Sequence, residues 1–145
     1  MHSGPEVIAA FLISKDVGTY PSDNGKWPIF YGQLPDSPDS AIGIFDVDAL
    51  SNGRLMRTGE TMGVPGYQIR IRAKKYQHAR EKAFEIHDHF DALRRIKVTV
   101  EDSKYHVQGI HQDTVHPAFI GPDPEVRMNF TINGRISYWR NQNEN

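Results

Sequence analysis

Seven histidines and eighteen carboxylates give this 145-residue chain the raw material for metal chemistry, but their spacing does not assemble it. His87 and His89 flank Asp88. Two residues apart on a helix means about 200° around the axis, so those two rings cannot share an ion. No His-Glu-x-x-His motif occurs. His106, His111 and His116 fall five apart, which suits neither a strand face nor a finger, and His2 stands alone near the start. Solvated or hydrogen-bonded histidines account for the pattern better than ligands do. Asp46 and Asp48 share a strand parity and resemble the paired carboxylates of a metal-dependent nuclease. The pattern places no third acid or catalytic lysine beside them, and acids at a strand end also serve solubility. Gly-x-Ser-x-Gly and phosphate-binding glycine loops are missing. We assign no catalytic, metal or cofactor residue and expect a non-enzyme.

Binding chemistry is better represented. From Arg70 to Lys82 the chain holds six Lys/Arg and one acid. Such a run could meet phosphates. Arg70, Arg72 and Lys74 alternate with Ile69 and Ile71, which places the three cations on one sheet surface. No aromatic side chain interleaves with them, so bases have no stacking platform there. DNA, an acidic neighbouring subunit and plain water remain three readings of that face. The charge is also divided along the chain. Residues 1–66 carry four Lys/Arg against eight Asp/Glu, and residues 67–104 carry ten against six. The two segments can attract within one subunit or across two.

The elements that must position these residues follow from periodicity. Residues 66–73 alternate apolar and polar as a half-buried strand does. Tyr76, Ala79, Ala83, Ile86, Phe90 and Leu93 then recur at helical spacing. A first helix is predicted over residues 5–16, with Pro5 in its first turn, Val7, Ile8, Phe11 and Leu12 on one face, and Gly18 beyond its end. Residues 18–40 are rich in proline and glycine and read as loop, with one short strand at Trp27–Tyr31. Residues 42–47 make another strand. Residues 48–65 lack a steady period and read as a long mobile loop, or as a hairpin whose strands the pattern hides. Ile96–Val100, a turn at Glu101–Ser103 and the stretch from Tyr105 form a hairpin. Val126, Met128, Phe130, Ile132, Ile136 and Tyr138 share one parity. That predicts one long strand with Gly134 at a bulge or bend, and then a frayed tail over residues 141–145.

Together these give one α+β domain over residues 1–145, with a mainly antiparallel twisted sheet and two helices packed on one face. Without cysteines, disulfides and thiolate chemistry are excluded. No apolar run reaches the roughly 18 residues of a membrane span, and the start does not read as a signal peptide. We expect the protein to act where it is made.

The order of short motifs is informative as well. Pro35-Asp36-Ser37-Pro38-Asp39 leads into the strand Ala41–Val47. Pro65-Gly66-Tyr67-Gln68-Ile69-Arg70-Ile71-Arg72 leads into Tyr76-Gln77-His78-Ala79. Phe119-Ile120-Gly121-Pro122-Asp123 leads into Arg127-Met128-Asn129-Phe130-Thr131-Ile132-Asn133. This order resembles the small neck proteins of tailed bacteriophages, often labelled minor capsid proteins, and among them the tail terminator family. The resemblance implies a hexameric ring, built from copies of the chain, that caps the tail tube and stops its growth. It implies a tail tube protein and a head–tail connector or stopper as partners, with DNA passing through the lumen without sequence-specific binding. No cofactor and no membrane is implied, and the location is the virion, at the head–tail junction, after assembly in the host cytoplasm. In this frame Leu55, Met56, Arg57 and Met62 are the candidate tube-contact residues. Arg70, Arg72 and Lys74 are candidates for the subunit interface or the lumen. A different neck protein, such as a head-completion or stopper ring, and a small DNA-binding module are the alternatives.

Overall fold

The computed structural model describes the backbone of residues 2–54 and 61–140 and the side chains of residues 2–47 and 65–140. Its elements run α1 (Gly4–Ser14), β1 (Ile29–Tyr31), β2 (Ala41–Arg54), β3 (Thr61–Ala73), α2 (Tyr76–Ala92), β4 (Ile96–Val100), β5 (Ser103–Gln112), β6 (Ala118–Pro122) and β7 (Met128–Arg140). A single sheet orders these strands β1-β2-β3-β7-β5-β4, with β6 also paired to β7.

Ser3 starts α1. Its hydroxyl accepts from the Glu6 backbone N–H, while the Glu6 carboxylate accepts from the Ser3 N–H, satisfying two donors that a helix start leaves open. The helix stops at Ser14, four residues before Gly18. Asp16 takes the left-handed conformation (φ 60°) and the Val17 N–H turns back to the Leu12 carbonyl. Every residue from Val7 to Leu12 is buried, so α1 is covered all round and not along one stripe. Its neighbours include β4 and β1, the last and first strands of the sheet order, so the sheet curls around it. The Tyr138 hydroxyl donates to the His2 carbonyl (2.9 Å), and the Tyr105 hydroxyl accepts from the His2 N–H (2.7 Å), fixing the start of the helix to β7 and β5.

The amphipathic face predicted for α2 is the one that packs. Ala79, Ala83, Ile86 and Phe90 are buried, and the helix contacts β7, β3 and β5. Phe90 stacks on Phe11 of α1 (6.1 Å between centroids) and takes the Tyr67 ring edge-on (5.8 Å). Ile42, Ile44, Ile69, Ile71, Ile132 and Ile136 complete this core from the sheet.

Three expectations change. The sheet is mixed, because β1 pairs parallel with β2 (Ile29↔Ile42, Tyr31↔Ile44). The proline-rich passage between them, read from the sequence as loop, carries the chain back to restart β2 in the same direction. Second, strand pairing continues into the predicted loop of residues 48–65: Leu50 faces Val64, Ser51 faces Gly63 and Arg54 faces Thr61. Register shifts after Val47 and after Ser51 break the alternation, and a broken period is what made this hairpin look irregular. Third, β7 is one continuous strand, but Gly134 is not at a bulge. The shift lies in β5 between Val107 and Gly109, and Gly134 keeps regular register with Tyr67 and Gln112.

Tyr67 is fully buried on β3, and its hydroxyl finds no hydrogen-bond partner among the described residues. Burial, and secondarily the Asp113 charge, pushes its phenol pKa up, so it stays neutral. An unpaired polar atom inside a core costs stability. Tyr67→Phe is therefore expected to stabilise the fold by about 1 kcal/mol, a rise of about 3 °C in melting temperature by calorimetry. A fall would mean that the hydroxyl has a partner after all.

Candidate functional site

The three motif pieces that carried the family resemblance come together in space. Arg72, next to last in β3, is 4% exposed. Its Nη2 donates to the Pro35 and Pro38 carbonyls (2.6 Å each) and its Nε to the Asp39 carbonyl (3.1 Å). Arg127, just before β7, is equally covered. It donates from Nε to Asp123 Oδ2 and from Nη2 to Asp36 Oδ1, both at 2.9 Å, and from Nη1 to the Asp36 carbonyl. Asp39 Oδ1 lies 3.6 Å from Nη1. Two guanidiniums thus hold the 35–39 loop against the sheet, and that loop carries the cis Ser37–Pro38 bond. The 123–127 turn is closed by Asp123, whose Oδ1 accepts from the backbone N–H groups of Glu125 and Arg127.

The electrostatics are mutual. Burial lowers the Arg72 pKa and the neighbouring Arg127 charge lowers it further, while Asp123, Asp36 and Asp39 oppose both. For Arg127 the carboxylates prevail over desolvation and its pKa is raised. Two cations tolerate each other because three acids stand between and around them.

This arrangement changes the standing of the three predicted sheet cations. Arg72 is spent inside the subunit, on carbonyls of its own loop. Arg70 is half-buried beside a cavity of about 220 Å³ that Arg72, Asp123 and Asn129 also line, and its Nε is covered without a hydrogen-bond partner among the described residues. Lys74 is exposed and 3.9 Å from Asp39. Leu55, Met56 and Arg57 lie outside the described residues. Met62 falls within β3, beyond the described side chains. The 141–145 tail also lies outside the description.

Among the described residues no group of three or more His, Cys, Asp or Glu side chains is placed to hold a metal. His87 is buried and acts as a tie. Its Nδ1 is 2.8 Å from Gln112 Oε1, and its Nε2 is 3.2 Å from Asp91 Oδ2. Asp46 is exposed on β2, opposite Tyr67. Periodicity missed the acids of the clamp because they sit in loops. The only signal for Asp36, Asp39 and Asp123 was their company in Pro-Asp and Gly-Pro-Asp turns.

The converging charges of this domain hold its own loops. The sequence matches the family described as bacteriophage tail terminator protein over residues 11–138, and the chain belongs to that family. It is a structural protein of a phage tail. No curated protein matches it. Among solved structures it is similar to a chain titled "Virion of native gene transfer agent (GTA) particle". That chain is 12% identical, with a TM-score of 0.42 and coverage of 75% of this chain and 78% of that one. No helix among the described residues is long and apolar enough to cross a membrane.

Proposed function

We propose that the protein is the tail terminator of its virion. Copies join head to tail into a closed six-fold ring, a closure that identical heterologous contacts permit. The ring sits on the last layer of the tail tube at the head–tail junction, offers the tube no surface for another layer, and presents its other face to the head connector. DNA passes through the lumen. Family membership over residues 11–138 carries this reading. Support also comes from β2 and β3, whose pairing runs to Arg54 and Thr61 and makes an arm longer than the other strands of the sheet require. In this reading Leu55, Met56, Arg57 and Met62 supply the tube contact. Arg70 and Lys74 remain available for a neighbouring subunit or the lumen, and Arg72 supports them from within.

Electron microscopy of purified tail tubes with the added protein tests the reading. Annuli with six-fold symmetry at tube ends, and arrest of tube growth, are expected. Replacing Leu55, Met56 and Met62 together with serine should raise the concentration needed for capping at least about tenfold, equivalent to about 1.4 kcal/mol. Tubes that keep growing at saturating wild-type protein would rule out the terminator role.

A further inference from the structure

Ile29, Ile42, Ile71, Phe130 and Phe119 form one row across β1, β2, β3, β7 and β6. β5 pairs with β7 only from Gly134 onward, so β1 and β6 are the two outermost strands of this half of the sheet among the described residues. They stand four strand spacings apart, about 19 Å along the sheet.

The β6 edge is apolar with a basic rim. Tyr76, Phe119, Ile120 and Val126 are half of the large apolar side chains that stand exposed among the described residues, and they lie on β6 or at its flanks. Tyr76 meets Phe119 edge-on (5.2 Å). β6 itself (Ala118–Pro122) carries none of the charged residues that usually guard an exposed edge strand. Lys74 and Lys75 precede α2, Arg80 lies in its second turn, and all three are exposed. Lys74 is 3.9 Å from Asp39, while Lys75 and Arg80 have no acid within ion-pair distance among the described residues. Asp36, Asp39 and Asp123 are turned to Arg127. The β1 edge has the opposite sign. Residues 16–47 hold five acids and one cation, Lys26. Tyr31 is 47% exposed at the end of β1, and Asp23 and Glu101 are exposed. Burial raises the Tyr20 phenol pKa, and Tyr31, Asp23 and Glu101 raise it further, which puts both acids beside this edge. The Thr19–Pro28 bridge covers the start of the strand and stops short of Tyr31.

We propose that the β6 edge of one copy docks on the β1 edge of the next, with Phe119 and Ile120 against Tyr31, and Lys75 and Arg80 facing Asp23 and Glu101. This deepens the ring reading and rests on it. Two unlike edges on opposite sides of one chain make a heterologous contact, the kind that repeats around a closed ring. Like charges oppose the β6–β6 and β1–β1 alternatives. The division of charge along the sequence thus acts between subunits.

Sedimentation velocity of the full-length protein over a concentration series tests it, alongside tube capping scored by electron microscopy. Lys75→Glu with Arg80→Glu should weaken self-association at least about tenfold, and so should Asp23→Lys with Glu101→Lys. An equimolar mixture of the two variants should recover it, because each altered edge then meets an edge of opposite charge on the other variant. Misfolded variants would give no such recovery. Raised salt should weaken wild type and mixture alike. Assembly of both variants at wild-type concentrations overturns the edge assignment and leaves the ring reading standing. Wild type that neither associates nor caps tubes removes the ring reading, and this proposal with it. Loss in the first variant alone, without recovery on mixing, also overturns the head-to-tail pairing. It would assign the β6 edge to a two-fold contact with another β6 if self-association is lost, or to an acidic partner protein if only capping is lost.

Discussion

Gly134→Ala is expected to lower the melting temperature by about 9 °C. Gly134 lies in the middle of β7 with β3 on one side and β5 on the other, at ordinary strand register. A Cβ there would collide with the His111 carbonyl oxygen and stand 2.5 Å from the Tyr67 hydroxyl and 2.8 Å from its Cζ. One obstacle is backbone inside a ladder, and the other is a ring wedged against Phe90. Neither is the free end of a flexible chain, so relief requires moving a strand. Overpacking of this kind costs up to about 3 kcal/mol, and about 3 °C per kcal/mol suits a domain of this size. The double variant Gly134→Ala/Tyr67→Phe isolates the two obstacles. Removing the hydroxyl eliminates only the 2.5 Å contact, so about a third of the loss should return beyond the gain of Tyr67→Phe alone. Full recovery would show that the strand carbonyl yields easily, and no initial loss would show that β7 has room at this position.

Tyr67 and Gly134 illustrate how much could be read from sequence. The parity of β7 was legible through the glycine, because Met128, Phe130, Ile132, Ile136 and Tyr138 keep the same side; Val126, read as part of that face, instead stands before the strand at φ 61° and is exposed. The reason for the glycine was not, since it depends on a ring from a strand more than sixty residues away. The α2 face was legible for the same local reason as β7. The hairpin of β2 and β3 was hidden by two register shifts, each of which reverses the parity that a period-two search relies on. Parallel pairing of the three-residue β1 left no local mark. Charged residues followed the same rule. Arg70, Arg72 and Lys74 shared a sheet face on paper, and their fates diverged only once the 35–39 loop was laid over Arg72. Trp139 and His106 are 33 positions apart and meet only through the pairing of β5 with β7.

Arg127→Ala, the second large effect, should cost about 2 kcal/mol, or about 6 °C in melting temperature. The side chain is 5% exposed, but the Asp36 carboxylate facing it is 86% exposed, so the charge attraction is well screened. The loss comes instead from the hydrogen bonds that join the 35–39 loop to the 123–127 turn. Arg127→Lys should recover little, because one ammonium cannot span Asp123, the Asp36 carbonyl and the Asp36 carboxylate as a planar fork does. Acid should reproduce part of the defect in the wild type. Desolvation pushes the Asp123 carboxyl pKa up, but the Arg127 backbone N–H, the guanidinium and the Glu125 N–H outweigh it and hold the pKa below the usual carboxylate range. A carboxylate with a depressed folded pKa stabilises the fold above its unfolded value, about 3.9, and loses that contribution as pH falls through the folded pKa. Asp123→Asn should therefore be less stable than wild type at pH 7, and the gap between them should close as pH is lowered from about 4. Melting curves of the two proteins across that range give the answer. A gap that stays constant into acid would mean that Asp123 holds its turn by shape alone, without drawing on the charge of Arg127.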